Sequence, residues 1–182
     1  MQFKEGFVDS LYYNVLDMTP EWVEQPETII FHHGVGANTE IWAEWLPVLG
    51  LNYRIARFDM RGFGQSTAKP AGDLTFDQLI KDISLIADTV GVERFHLVGE
   101  SIGGTAALAY SLQHPARLHS LTLTNTGAIR GGQGFAANTQ DAIWALGATI
   151  LNSGSITVTD RVGTGAEPTY SAINLSTGGG TI

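Results

Sequence analysis

The amino-acid sequence predicts an α/β domain built on a doubly wound, mostly parallel sheet. Three observations carry that expectation. Short apolar runs at 28–32, 53–58, 95–98 and 118–124 alternate with stretches of helical spacing. Such alternation marks parallel βαβ units with both faces of the sheet covered. Glycine-bearing loops at 33–38 and 59–66 follow two of these runs, where ligands meet such sheets. Finally, Gly99-Glu100-Ser101-Ile102-Gly103 lies between an apolar run and an Ala-rich helical stretch.

Taken in order, residues 3–16 predict a strand pair, with Phe7, Leu11, Tyr13 and Val15 alternating around the polar Asp9-Ser10. Pro20 and Pro26 break any regular element between them. Residues 28–32 form a short β-rich run, as expected of a strand buried on both faces. Ile41, Trp42, Trp45, Leu46 and Leu49 then recur at helical spacing. After the strand at 53–58, Thr75-x-x-Gln78 has the form of a capping box. Phe76, Leu79, Ile80, Ile83, Ala87 and Val90 make one apolar stripe behind it. Gly91 follows where a left-handed cap is favoured, and Pro115 stops the Ala-rich helix. The strand at 118–124 ends the regular alternation.

Composition bounds the function. The 182 residues suffice for one domain with a real core. A net charge of −8 argues against a nucleic-acid partner, and no apolar run is long enough to span a bilayer. There is no cysteine, hence no disulfide and no thiolate metal site. With no signal-peptide core at the start, the expected location is cytoplasmic. No motif calls for a cofactor or a metal. A dinucleotide-binding fold fails as well, because the loop after the first parallel strand lacks Gly-x-Gly-x-x-Gly.

The chemistry concentrates at Ser101. A strand-to-helix turn as tight as 99–103 strains the serine backbone, and glycines two residues either side meet the steric demand. The hydroxyl would stand exposed at a helix N-terminus, where N–H groups and the helix dipole favour developing negative charge.

Together, His32-His33-Gly34-Val35, the run 59–66 (Asp-Met-Arg-Gly-Phe-Gly-Gln-Ser) and Gly99-Glu100-Ser101-Ile102-Gly103-Gly104 resemble the α/β-hydrolase family in order and spacing. The run Leu123-Thr124-Asn125-Thr126-Gly127-Ala128-Ile129 is similar to its 3-oxoadipate enol-lactonase branch. The resemblance implies that Ser101 is a nucleophile, with the backbone N–H groups of Val35 and Ile102 as the oxyanion hole. It implies hydrolysis of a small carboxylic ester or lactone through an acyl-enzyme. A haloalkane dehalogenase would place aspartate at position 101.

The same family implies an acid and then a histidine after the serine. Asp141, Asp160 and Glu167 follow Ser101, yet no histidine follows them, since His119 is the last. His114 and His119 read as surface or local packing groups, and His32 and His33, being adjacent, cannot both face the serine from a strand. The acid and the general base are therefore unassigned. A catalytically incompetent hydrolase-like fold acting as a binding module, or a fragment, is the alternative to an active hydrolase.

From Thr149 onward Ser, Thr and Gly dominate, where the family would continue into a lid and two more strands. The chain is expected to divide into a hydrolase core at 1–148, with 128–148 as a lid remnant, and an atypical tail at 149–182. In this account the family fold is truncated or frame-altered after the strand at 118–124. That strand would then offer an open edge, either to 155–162, which alternates like a strand, or to a second copy in a homo-oligomer.

Overall fold

The computed structural model describes residues 1–66 and 74–125 and, beyond them, the backbone of five short strands. Chain order begins with an antiparallel hairpin, β1 (Gln2–Val8) and β2 (Leu11–Asp17), paired from Gln2 with Asp17 to Val8 with Leu11. Asp9 and Ser10 join them with φ of 44° and 69°, the geometry of a two-residue turn that matches strand twist. The parallel strands are β3 (Thr28–His32), β4 (Arg54–Phe58), β5 (Phe95–Glu100) and β6 (Leu118–Asn125). Helices α1 (Leu46–Leu49), α2 (Phe76–Thr89) and α3 (Ile102–Gln113) connect them.

Beyond β6 lie β7 (Ile129–Gly131), β8 (Ile143–Leu146), β9 (Ala148–Asn152), β10 (Ile156–Val158) and β11 (Ile173–Ser176). The main sheet has the order β1-β2-β4-β3-β5-β6-β9. β2 is antiparallel to β4, and every pair from β4 to β9 is parallel. Strand order reverses at β3, flanked by β4 and β5, so the crevice of a doubly wound sheet falls where β3 and β5 end.

The strand beside β6 is not the one the sequence suggests. The edge of β6 is paired by β9, Leu121 with Ala148 through Asn125 with Asn152, and not by 155–162. Only 156–158 of that segment is a described strand, and it pairs in parallel with β7. Ile150 and Leu151 form a continuous apolar run in the sequence of β9, whereas 155–162 alternates. The lid remnant expected at 128–148 is described only through β7, β8 and the first residue of β9. Asp141, Asp160 and Glu167 lie outside the described residues.

Side-chain alternation sends Ile30, Leu97, Leu121 and Leu123 to one face, where they pack with Leu79, Ile83 and Ile86 of α2 and Tyr110 of α3. Ile29, Phe31, Ile55 and Val98 meet Trp42, Trp45 and Leu46 on the other. The 40–49 stretch is not one helix: a 3-10 segment at Thr39–Trp45 precedes the single turn of α1. Pro47 lacks the N–H that a continuous α-helix would need there. α2 starts as expected, with the Thr75 hydroxyl accepting the Gln78 N–H at 3.2 Å. The capping box is only half formed, because the Gln78 amide donates to Asp82 instead, at 2.8 Å. Gly91 closes the helix at φ +74°.

Candidate active site

The elbow between β5 and α3 is strained at one residue. Ser101 adopts φ 55°, ψ −124°, a conformation that costs a non-glycine residue on the order of 1–3 kcal/mol. The residue is exposed and occupies the N-cap position of α3, its hydroxyl making no capping hydrogen bond. Gly99 and Gly103 do not carry positive φ themselves; they provide space. A Cβ on Gly99 would stand 2.6 Å from both the Gly103 carbonyl oxygen and the Gly104 Cα, and one on Gly103 would meet His32 Nδ1 and the His33 carbonyl oxygen at 2.5 Å.

The loop after β3 closes on this turn. A Cβ on Gly34 would lie 2.5 Å from Glu100 Oε2, 2.7 Å from Ser101 Cβ and 3.2 Å from Ser101 Oγ. Only a glycine lets the loop backbone come this close. The structure therefore brings together Ser101, Ile102 and the exposed Val35, which follows Gly34. Among the described residues, neither the Val35 nor the Ile102 N–H donates a backbone hydrogen bond. Such N–H groups suit a developing oxyanion. No sequence pattern marks Glu100, whose carboxylate sits beside this loop; burial lowers the His33 imidazole, opposed by its bond to the Gly34 carbonyl and by the charges of Asp59 and Glu100.

The two histidines before Gly34 are buried and committed. His33 Nε2 accepts the Met60 N–H at 2.8 Å, while Nδ1 donates to the Gly34 carbonyl at 2.7 Å. Both nitrogens are used, which fixes the neutral tautomer, and burial lowers its pKa. His32 Nδ1 donates to the His33 carbonyl at 2.9 Å. Its Nε2 is buried without a partner among the described residues, and desolvation pushes the imidazole from 6.5 down to about 4. Neither histidine offers a base to Ser101. His114 caps the far end of α3, roughly 18 Å along a twelve-residue helix. His96 and His119 stand near the amino ends of β5 and β6, away from the elbow.

The loop after β4 is a scaffold for this site. Asp59 Oδ1 accepts the Thr39 N–H and Oδ2 the Gln65 N–H, both at 2.7 Å. Gly64, at φ +52°, approaches that carboxylate too closely for any side chain. The Ser66 hydroxyl donates to the Asp59 carbonyl and accepts from Tyr12 N–H. Arg61 grips Asp82 of α2 with two parallel bonds at 2.8 Å, and also Asp9 of the hairpin turn at 2.8 Å. The motif thus ties the hairpin, the segment after β3 and α2 to one point.

Residues 27–144 match the family model described as the alpha/beta hydrolase fold. The chain belongs to that family. Among curated relatives, the RutD protein of Caulobacter sp. (strain K31), named for a proposed carbamate hydrolase role, is 34% identical over 67% of this chain and 44% of its own length. The 3-oxoadipate enol-lactonase 1 of Acinetobacter baylyi (strain ATCC 33305 / BD413 / ADP1) is 31% identical over 58% of this chain and 39% of its own. Among solved structures, the enol-lactonase from Burkholderia xenovorans LB400 superposes with a TM-score of 0.61 at 28% identity, covering 71% of this chain and 48% of the other. The chain spans less than half the length of these relatives. No helix among the described residues is long and apolar enough to cross a membrane.

Proposed function

We propose that this chain carries the nucleophile and oxyanion hole of a serine hydrolase for small carboxylic esters or lactones. The observation that carries the reading is the strained, exposed Ser101 at the start of α3, facing a glycine loop with open N–H groups. Ser101 Oγ attacks the carbonyl carbon, and the N–H groups of Val35 and Ile102 hold the oxyanion. The alcohol leaves, or the lactone ring opens, and water hydrolyses the acyl-enzyme. An uncharged acyl group suits the site better than an anionic one, given Glu100 beside Gly34. The names of the relatives, a carbamate hydrolase and an enol-lactonase, support a carbonyl substrate.

The general base is not among the described histidines, since His33 is fully bonded and His32 is buried against its neighbour's carbonyl. That observation favours a second reading, in which the same surface binds carbonyl ligands without turnover. Hydrolysis of methyl esters and γ-lactones, followed by proton release for the chain and its Ser101→Ala variant, separates the two. Turnover that falls about 100-fold or more in the variant supports the hydrolase. Equal rates in both support the binding module.

A further inference from the structure

A second serine outside this site is wired to an imidazole and a carboxylate. His96 of β5 and Ser120 of β6 are register partners on adjacent parallel strands. His96 Nδ1 lies 2.8 Å from Ser120 Oγ, and His96 Nε2 lies 3.1 Å from Glu27 Oε2, just before β3. A carboxylate can only accept at that contact, so Nε2 carries the hydrogen. Nδ1 then presents its lone pair to the Ser120 hydroxyl. This is the arrangement by which an acid orients an imidazole to take a serine proton. The ring also packs against Tyr53, with centroids 5.3 Å apart, and against His119 at 5.2 Å.

The surroundings are accessible. Glu27 is exposed, and His96 and Ser120 are half-buried. Glu27 and His119 also line an open groove of about 720 Å³, with Lys4, Asp17, Arg54 and Arg94 among its other walls, at the opposite end of the sheet from Ser101. His119 Nε2 stands 3.9 Å from Glu27 Oε1, but no set of three such groups among the described residues converges as metal ligands.

We propose that Ser120 is a second acyl-acceptor site, activated by His96 and oriented by Glu27. Ser120 sits within a strand whose amide groups serve the sheet ladder, so it has no strained turn to build an oxyanion hole. The acyl donor must therefore bring its own good leaving group, as aryl esters and thioesters do. Ser120 Oγ forms a bond to the acyl carbon while the bond to the phenolate or thiolate breaks. The hydroxyl proton passes to His96 Nδ1 and from there to the leaving group or solvent.

The test is peptide mapping by mass spectrometry of the full chain carrying Ser101→Ala after exposure to p-nitrophenyl acetate. The expected result is acetyl on the peptide bearing Ser120, forming about 100-fold more slowly in an added His96→Gln change. Glu27→Gln, at an exposed position with little bearing on folding, is expected to slow it in the same direction. No acetyl on Ser120, acetyl on His96 only, or equal rates in all three variants would overturn the proposal. Acetylation of Ser101 in the unaltered chain is scored on a different peptide. Failure at Ser120 therefore leaves the hydrolase reading where it stands, and failure at Ser101 leaves this one.

Discussion

At Ser101, Gly99 and Gly103 divide the work of the elbow between conformation and space. The serine bears the positive φ, and the glycines leave room for the backbone behind it. That division was legible in the sequence, because only a turn so tight demands small residues on both sides of one hydroxyl. The commitment of His32 and His33 was not legible. Adjacent histidines in a strand must point to opposite faces, but here His33 has left β3 and both rings are drawn inward by carbonyl acceptors one residue ahead.

The buried His32 has a consequence for stability. Its folded pKa of about 4 lies below the 6.5 of the unfolded chain, so the unfolded state binds the extra proton between those values. Stability is thus full above pH 6.5 and falls as pH drops toward 4, by about 3 kcal/mol at 1.36 kcal/mol per unit. Burial lowers His33 too and acts in the same direction. Urea unfolding at pH 7 and pH 4.5 should show a smaller acid loss in His32→Asn, whose amide can keep the bond to the His33 carbonyl. Equal losses in the two proteins would refute the assignment.

At the scale of elements, the loop from Asp59 to Ser66 shows how a motif can be read correctly and explained only later. Its order and spacing carried part of the family resemblance. Its residues make structural hydrogen bonds that fasten β2, the segment after β3 and α2 together. No local pattern could have paired Arg61 with Asp82, because 21 residues separate them. Both side chains of that pair are almost fully buried, and removing one partner of such a pair costs about 3–5 kcal/mol. Arg61→Ala is therefore expected to lower the unfolding free energy measured in urea by that much. A cost below about 1 kcal/mol, the size of a surface pair, would show that the clamp does not hold the fold. The half-formed capping box has the same origin, since the Gln78 amide is drawn to Asp82, already fixed by Arg61. The partner at the edge of β6 is likewise not legible from local pattern. Alternation drew attention to 155–162, while the plain apolar run of β9 takes the place beside β6.

Across the whole molecule, a mostly parallel sheet with its order reversing at β3 sets the loop after β3 and the N-terminus of α3 around one serine. The fold and the position of Ser101 follow from strand–helix alternation and glycine placement, both short-range signals. The acid and the base are long-range features, which no spacing rule can place. The central claim is that Ser101 is a nucleophile poised by the elbow. Its most direct test is intact-mass analysis of the chain and of Ser101→Ala after treatment with a fluorophosphonate. The account predicts one phosphonyl adduct per chain, mapping to Ser101 and absent from the variant. A folded chain that takes no adduct at Ser101 would contradict it and leave the elbow as a binding surface.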